Sequence, residues 1–239
     1  MLINPPEVIQ LLAHNLRWNI VKALSSSDYR VHELVNQLNQ PMNLVSYHLK
    51  LLRDGLLIES RRSSADGRDI YYSLNLNHLR TSLQAVEKAL SIDEPSADNL
   101  VPIHAIRVLF ICTHNSARSQ MAETLMRNLS GGNISVYSAG NQPTTIHPDA
   151  IKTMSQMGID VSNQKSTHIS QFEGQSFDYV ITVCDNAREV CPTFTGSKQL
   201  HWGFTDPAAI HDANERLKSF EQIALRLKLR IEHFLKELT

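Results

Sequence analysis

Long apolar runs are missing from this chain of 239 residues. No stretch approaches the roughly 18 apolar residues that a membrane-spanning helix needs. The N-terminal sequence MLINPPEVIQ also lacks the basic start and the apolar core of a secretory signal peptide. We therefore expect a cytoplasmic protein with no membrane partner, and a chain of this length predicts two compact units.

Cysteine is scarce, since the chain has three, at positions 112, 184 and 191. In a reducing compartment an odd number of cysteines argues against a disulfide framework and favours reactive thiols. The histidines of the N-terminal part lie without the spacing of metal ligands, so we expect no metal site there: His14, His32, His48 and His78.

Charge of one sign is also missing, because the formal net charge is -1. Only residues 1–90 lean basic, with ten Lys and Arg against eight Asp and Glu, a weak indication of a nucleic-acid partner. Residues 91–103 contain acidic side chains, two prolines and no apolar periodicity, which is typical of a linker. The predicted division is a domain at 1–90, a linker at 91–103 and a domain at 104–239.

Residues 1–90 change from helical to strand patterns and back. Asn4 before two prolines predicts a helix start, and apolar spacing predicts one helix up to Ile20, followed by helices over residues 31–38 and 41–55. LLIESRR and DIYYSLN flank SSADG and predict a hairpin with a tight turn. With a last helix over residues 77–90, this order indicates an α+β winged helix-turn-helix domain.

The segment PMNLVSYHLKLLRDGLLIESRRSSADGRDIYYSL resembles the arsenical-resistance repressor (ArsR) family over about residues 5–90. The resemblance implies operator DNA binding by a two-fold homodimer whose first and last helices form the interface. It also implies major-groove residues on the recognition helix and phosphate-contacting arginines on the wing: Asn43, Ser46, Tyr47 and Lys50, then Arg61, Arg62 and Arg68. The sensing thiolates that many members carry near HELVNQL are absent.

Residues 104–239 alternate between strand and helix patterns. IRVLFI is typical of a strand buried on both faces, and SQMAETLMRNL, ISVYSAG, PDAIKTMSQMG, FDYVITVC and residues 213–238 then alternate helix, strand, helix, strand and helix. The alternation predicts an α/β domain with a mainly parallel sheet. Cys112 and Cys184 each follow a predicted strand, so we expect both at the ligand-binding edge of the sheet.

The loop CTHNSAR, from a strand end to a helix start, has a C-x5-R pattern suited to an oxyanion. Backbone N–H groups at a helix N-terminus and the forked guanidinium of Arg118 supply convergent donors, and their positive field favours Cys112 as a thiolate nucleophile. Ser119 can donate to that thiolate, and Asn115 tolerates a left-handed turn. The predicted oxyanion-binding residues are Thr113, His114, Asn115, Ser116, Ala117, Arg118 and Ser119.

CTHNSARSQMAE, YSAG, VCDNAREVCP and HWGFTDP together resemble the low-molecular-weight protein tyrosine phosphatase fold over about residues 106–238, and more closely its thioredoxin-coupled arsenate reductase branch. The resemblance implies arsenate as substrate, attacked by Cys112 with Asp206 as general acid. It further implies that Cys184 then attacks Cys112 to release arsenite and that Cys191 resolves the disulfide. No bound cofactor is expected; thioredoxin is the expected electron donor, with glutaredoxin or glutathione as alternatives.

Two positions depart from the reductase pattern. Ala117 replaces a cysteine common in the reductase loop, at a position that carries no relay thiol. Thr167 stands where related reductases have an aspartate in a potassium site, although Asn115, Glu123 and Ser138 remain. Potassium activation therefore stays open.

Two further functions remain open beside a fused repressor and arsenate reductase. A tyrosine phosphatase tethered to a DNA-binding module would hydrolyse its cysteinyl adduct with water and would need no second thiol. A non-catalytic sensor would use oxyanion binding or thiol oxidation to control DNA binding. The pair of Cys184 and Cys191 favours reduction, because thiols can deliver two electrons by forming a disulfide.

Overall fold

The computed structural model describes residues 5–65, 67–90, 106–161 and 164–238. The chain divides into two compact units, Met1–Asn99 and Leu100–Thr239. The predicted linker at 91–103 and the predicted helix cap Asn4 lie outside the described residues. Within the described ranges, no helix has the length and apolar character that crossing a membrane requires.

The first unit combines helices with a small antiparallel sheet. Its described elements are α1 (Glu7–Leu12), α2 (Asn15–Ser26), β1 (Tyr29–Arg30), α3 (Val31–Leu38), α4 (Met42–Asp54), β2 (Ile58–Arg62), β3 (Ile70–Leu74) and α5 (Leu76–Ala89). The sheet order is β1-β3-β2, with β2 and β3 forming the wing hairpin. The winged helix-turn-helix fold predicted from the sequence is confirmed.

The turn between α3 and α4 depends on one left-handed residue. Asn39 has φ 49° and its N–H bonds to the carbonyl of Val35, which ends α3, and α4 begins after Pro41. Behind this turn, the apolar faces of α2, α3 and α4 meet in a core of fully buried side chains, including Ile20, Leu24, Leu34, Leu49 and Leu52. The opposite face of α4 is left exposed.

Two details of the first unit differ from the sequence prediction. The single first helix is broken, because the ring of His14 accepts a hydrogen bond from the N–H of Leu16 (3.2 Å) and so caps α2. Apolar spacing continues across the break, so periodicity alone cannot reveal it. In the hairpin, β2 ends at Arg62 and β3 begins at Ile70, and the N–H of Ser63 bonds to the carbonyl of Asp69, so the strands end further apart than the predicted SSADG turn.

The second unit is built on a four-stranded sheet. Its described elements are β4 (Arg107–Cys112), α6 (Arg118–Leu129), β5 (Ser135–Gly140), α7 (Pro148–Gln156), β6 (Tyr179–Thr182), α8 (Asp185–Val190), β7 (Lys198–His201) and α9 (Ala213–Leu238), with short 3-10 turns at Ile169–Phe172 and Pro207–Ala209. All neighbouring strands pair in parallel, in the order β5-β4-β6-β7. The predicted α/β fold with a mainly parallel sheet is confirmed.

The register of the sheet brings the strand ends to one edge. β4 lies inside the sheet with residues 108–111 almost fully buried, as its continuous apolar run requires. Its last residue, Cys112, pairs with Gly140 at the end of β5, while Thr182 of β6 pairs with His201 of β7. The loops that follow these strands therefore emerge together, as expected for a ligand site in a parallel sheet.

Candidate functional site

Two of the three cysteines lie close together at the sheet edge. Cys112 and Cys184 are 3 % and 2 % exposed, and the hydroxyl of Thr113 lies 3.4 Å from the sulfur of Cys184. The loop that carries the first thiol therefore contacts the second thiol directly. Cys191 is only partly buried and lies at the far end of α8.

The loop of residues 113–118 is held by its carbonyl groups. The carbonyls of Thr113, His114 and Ser116 accept hydrogen bonds from the backbone N–H groups of residues 142, 144 and 147, at 2.9, 3.0 and 2.8 Å. Because its carbonyls are engaged with this neighbouring segment, the loop keeps its N–H groups as donors, which is the polarity that an anion requires. The same three residues are partly exposed and give access to the loop.

A glycine in the neighbouring strand allows this loop conformation. A Cβ atom at Gly140 would lie 2.6 Å from the carbonyl oxygen of Thr113 and 2.8 Å from the backbone nitrogen of Asn115. Both distances are shorter than van der Waals contact, so the backbone of β5 can approach the loop only without a side chain.

Hydrogen bonds fix the orientation of the Asn115 side chain, whose residue has φ 46°. Its Oδ1 accepts from the backbone N–H of Thr167 (2.7 Å) and from Nε2 of Gln120 (3.0 Å). A backbone N–H can only donate, so the amide cannot be turned the other way. Its Nδ2 therefore donates to the hydroxyls of Ser119 (2.9 Å) and Ser138 (2.8 Å).

This orientation decides which group donates to Cys112. The hydroxyl oxygen of Ser119 lies 2.9 Å from the sulfur of Cys112 and already accepts from Asn115, so its proton is directed to the sulfur. The backbone N–H of Asn115 also donates to the sulfur, at 3.1 Å. Two donors therefore converge on the sulfur of Cys112, next to the start of α6 at Arg118.

Arg118 is buried beside the loop and linked to the predicted general acid. Its Nη1 donates to the carbonyl of Phe204 (2.8 Å), and its Nη2 lies 3.1 Å from Oδ2 of Asp206. Its Nε is buried and has no hydrogen-bond partner among the described residues. The side chain of Asp206 is 38 % exposed and also accepts from the N–H of Ala208. The guanidinium thus retains a buried donor for a ligand.

Burial disfavours ionisation of the second and third thiols. Burial raises the pKa of Cys184, although the charge of Arg118 lowers it in part. Burial also raises the pKa of Cys191 to about 11. Neither thiol is therefore a ready nucleophile at neutral pH until its surroundings change.

The helix α8 keeps these two cysteines apart. Cys184 precedes its first turn and Cys191 follows its last turn. At about 1.5 Å of rise per residue, their Cα atoms lie roughly 10 Å apart, whereas a disulfide needs less than about 7 Å. A bond between Cys184 and Cys191 therefore requires α8 to unwind.

Hydrogen bonds link the residues at the potassium-site positions. Glu123 accepts from Nη2 of Arg127 (2.5 Å) and from the hydroxyl of Ser138 (2.6 Å). Ser138 and the Oδ1 of Asn115 accept the bonds described above, and Thr167 reaches Asn115 through its backbone N–H. Burial raises the pKa of Glu123, and Arg127 opposes that shift. These residues therefore form one connected hydrogen-bond network beside the loop.

The predicted DNA-contacting residues of α4 share one face. Asn43, Ser46, Tyr47 and Lys50 are all exposed, and Tyr47 is 57 % exposed. Their spacing of three, four and seven residues aligns them along the helix opposite the core. The structure therefore brings these four side chains together on one exposed face of α4.

The three arginines of the wing are placed differently from one another. Arg62 and Arg68 are exposed. Arg61 points to the other side of β2, where its Nη2 lies 3.6 Å from the buried carboxylate of Asp28 and its guanidinium lies 5.0 Å from the ring centre of Tyr71. Side chains alternate along a strand, so adjacent arginines cannot share a face. Arg61 thus contributes to packing within the unit.

Sequence reasoning missed several residues that shape the site. The carbonyl of Phe204 has no signal in residue type, and Gln120 lies in a helical pattern that indicates only a core-facing stripe. Asp185 and His201 form a buried pair with Oδ1 and Nε2 3.0 Å apart. Asp185 lies in the motif VCDNAREVCP and His201 in HWGFTDP. The position of Asp185 directly after Cys184 is the sequence feature that could have indicated this pair.

Comparisons with known proteins give matches in both units. The family model for low molecular weight phosphotyrosine protein phosphatases matches residues 107–239, and the model for bacterial regulatory proteins of the arsR family matches residues 14–60. An arsenate reductase of Halalkalibacterium halodurans is 40 % identical over 129 residues, which cover 53 % of this chain and 93 % of that protein. An arsenate reductase of Bacillus subtilis is 40 % identical over 131 residues, covering 54 % and 92 %.

A solved structure gives a similar result for the second unit. It is described as an arsenate reductase in the phosphate binding state and is 32 % identical, with a TM-score of 0.50. The match covers 56 % of this chain and 99 % of that structure. The similarity to these proteins therefore concerns slightly more than half of the chain.

Proposed function

Since the chain belongs to the low-molecular-weight phosphotyrosine protein phosphatase family and carries an ArsR-family helix-turn-helix region at residues 14–60, we propose that it is a DNA-binding regulator fused to an arsenate reductase. The observation that carries the proposal is the contact of Thr113 with Cys184, which puts a second thiol beside the oxyanion loop. Hydrolysis of a cysteinyl adduct by water would not need that thiol. The arsenate reductases at 40 % identity support the same choice.

In the first step the thiolate of Cys112 attacks arsenic, and an As–S bond replaces one As–O bond. The loop N–H groups and the guanidinium of Arg118 hold the remaining oxygens. Asp206 donates a proton to the departing oxygen, which leaves as water. Arsenic stays pentavalent in this step. The unpartnered Nε of Arg118 supports its role as an additional donor to the oxyanion.

In the second step Cys184 loses its proton to the arsenic product and attacks the sulfur of Cys112. A Cys112–Cys184 disulfide forms, and the electron pair of the As–S bond passes to arsenic, which becomes trivalent arsenite. Burial holds Cys184 as a thiol at rest, while the charge of Arg118 favours its thiolate. Attack thus requires the sulfur of Cys184 to move only a short distance towards the sulfur of Cys112 within the same buried site.

In the third step Cys191 loses its proton to solvent and attacks the sulfur of Cys184, which forms a Cys184–Cys191 disulfide and frees Cys112 as a thiolate. The separation across α8 means that this helix unwinds during the step. A dithiol partner then supplies two electrons and two protons to restore both thiols. We propose thioredoxin as that partner, with glutaredoxin or glutathione as the alternative donors.

The first unit would bind operator DNA as a homodimer. The exposed face of α4 fits the major groove, and Arg62 and Arg68 of the wing can approach phosphates. No residue of α5 is buried within its own unit, and Leu83 is 37 % exposed despite its apolar side chain. An amphipathic helix with this unburied face fits a two-fold partner.

Reduction with a purified protein tests the proposal. The chain is incubated with arsenate, NADPH, thioredoxin reductase and thioredoxin, and in parallel with arsenate, NADPH, glutathione reductase, glutathione and glutaredoxin. We expect arsenite to form in proportion to NADPH consumed and to disappear in Cys112→Ser. Hydrolysis of an aryl phosphate without thiol, and no arsenite, would indicate a phosphatase instead. Absence of both activities would favour a non-catalytic sensor.

A further inference from the structure

A buried polar array lies next to the second thiol. Asp185, the first residue of α8, has its Oδ1 3.0 Å from Nε2 of His201, the last residue of β7, and both residues are 1 % exposed. The other ring nitrogen of His201 lies 2.9 Å from the hydroxyl of Thr182 at the end of β6. The array connects the start of α8 to two strands of the sheet.

The imidazole of His201 is held at both of its nitrogens. Thr182 can donate to the carbonyl of Leu200 (3.4 Å) or turn its proton to the ring. In either case Nε2 faces a carboxylate oxygen, which only accepts, so Nε2 carries a proton directed to Asp185. A carboxylate buried to this degree needs such a donor, since an unpartnered buried charge is strongly unfavourable.

The two ends of α8 differ in how they are held. At the N-terminal end, Asp185 is buried in the array and Cys184 precedes it directly. At the C-terminal end, Glu189 is exposed, Val190 is 60 % exposed, and Cys191 is only partly buried. Unwinding therefore meets least resistance from the C-terminal end.

We propose that Asp185 and His201 are a positioning pair for the thiol relay. They hold Cys184 beside Cys112 while the C-terminal end of α8 unwinds and carries Cys191 to the fixed Cys184. The inference rests on the proposed reductase function, which needs both disulfides in turn.

Cysteine labelling in the reduced full-length chain, without arsenate, tests the positioning role. Iodoacetamide labelling of each cysteine is followed by peptide mass spectrometry in Asp185→Ala, Asp185→Asn and the matched control Glu189→Ala, which removes an exposed carboxylate from the same helix. We expect labelling of Cys184 to rise roughly tenfold in Asp185→Ala, because its buried setting opens locally. Asp185→Asn, which can still accept from His201, should stay within about threefold of wild type.

The results separate the pair from general destabilisation. Wild-type labelling of Cys184 in Asp185→Ala, or an equal rise in Glu189→Ala, would overturn the inference. If Asp185→Ala does not fold, His201→Ala, which removes the donor to Asp185, is labelled in its place, and protection of Cys184 in that variant would equally overturn it.

The rate of disulfide formation tests whether Asp185 and His201 contribute to the thiol relay. After one equivalent of arsenate, formation of the Cys112–Cys184 disulfide should be roughly tenfold slower in Asp185→Ala than in Glu189→Ala, since Cys184 is no longer held beside Cys112. Equal rates would overturn the role in the relay. A wild-type chain that forms no disulfide with arsenate would contradict the proposed function, while the arsenate-free labelling would still decide whether the pair holds Cys184.

Discussion

Arg118 and Asp206 face each other across the candidate site, with Nη2 of the guanidinium 3.1 Å from Oδ2 of the carboxylate. The side chain expected to hold the oxyanion is therefore paired with the side chain expected to protonate the leaving oxygen. An oxyanion that binds the guanidinium would loosen this ion pair. Binding of the oxyanion would thus free the carboxyl group of Asp206 from Arg118 in the same event.

Asp206→Asn removes the proton donor while keeping a side chain of similar shape next to Arg118. We expect the rate of As–S bond formation to fall by roughly 10² to 10⁴, the range for a positioned general acid. Rapid-quench measurement of one turnover gives this rate. Oxyanion binding should change far less, and an unaltered single-turnover rate would assign the proton to another group or to water.

Cys191→Ser should separate one round of chemistry from recycling. Cys112 and Cys184 can still form their disulfide and release one arsenite per chain, but that disulfide lies where both sulfurs are buried. Thioredoxin would therefore not reach it. We expect a burst of arsenite without a steady state, measured by arsenite release against time. Sustained thioredoxin-dependent turnover in this variant would contradict a relay of three cysteines.

Burial should suppress the ionisation of Cys191 in the reduced protein. Burial raises its pKa from 9.0 to about 11, so its labelling by iodoacetamide in the reduced protein should keep increasing up to about pH 11. At pH 8 the raised pKa reduces the thiolate fraction about 100-fold relative to an unburied thiol. Labelling rates of Cys191 measured against pH by mass spectrometry give the midpoint.

The sign of this shift also sets a stability effect. A thiol with a raised pKa in the folded state stabilises the reduced protein fully below pH 9, and this contribution is lost as the pH rises towards 11. Cys191→Ser should therefore show a smaller loss of stability over that window, measured by urea unfolding. A labelling midpoint near 9 in the folded chain would contradict burial of this thiol.

Local sequence patterns predicted much of the fold. Both resemblances and both fold classes are confirmed, because the strand, loop and helix signals around Cys112 and the helices around Asn39 are encoded by neighbouring residues. The elements α8 and β7 were missed, since six residues and four residues are too short to show periodicity.

The remaining differences arise from contacts between residues distant in sequence. The inward position of Arg61 depends on Asp28, and the direction of the hydrogen bond to Cys112 depends on the backbone N–H of Thr167. The local sequence around Arg61 or around Cys112 cannot predict a contact with a residue so distant in the chain. The catalytic roles and the domain boundaries at 1–90 and 104–239 stay predictions.

Arsenite should not act on the first unit alone. Residues 1–90 contain no cysteine, and trivalent arsenic needs sulfur ligands that histidines and carboxylates replace poorly. We predict that a fragment of residues 1–90, which has its own buried core, binds operator DNA and keeps it when arsenite is added. Fluorescence anisotropy measures this, with the full-length chain as comparison. Arsenite-dependent dissociation of the fragment would contradict the prediction.

Gly140 has no side chain with which to bind or react, and yet the oxyanion loop cannot keep its shape if this position gains even a methyl group. Selection for the chemistry of Cys112 would therefore act just as strictly on a residue of the adjacent strand. In a saturation mutagenesis experiment scored by arsenate resistance, substitutions at neighbouring positions would be tolerated, whereas substitutions of Gly140 would not. The absence of a Cβ atom at Gly140 is thus as necessary to this site as the side chains that form it.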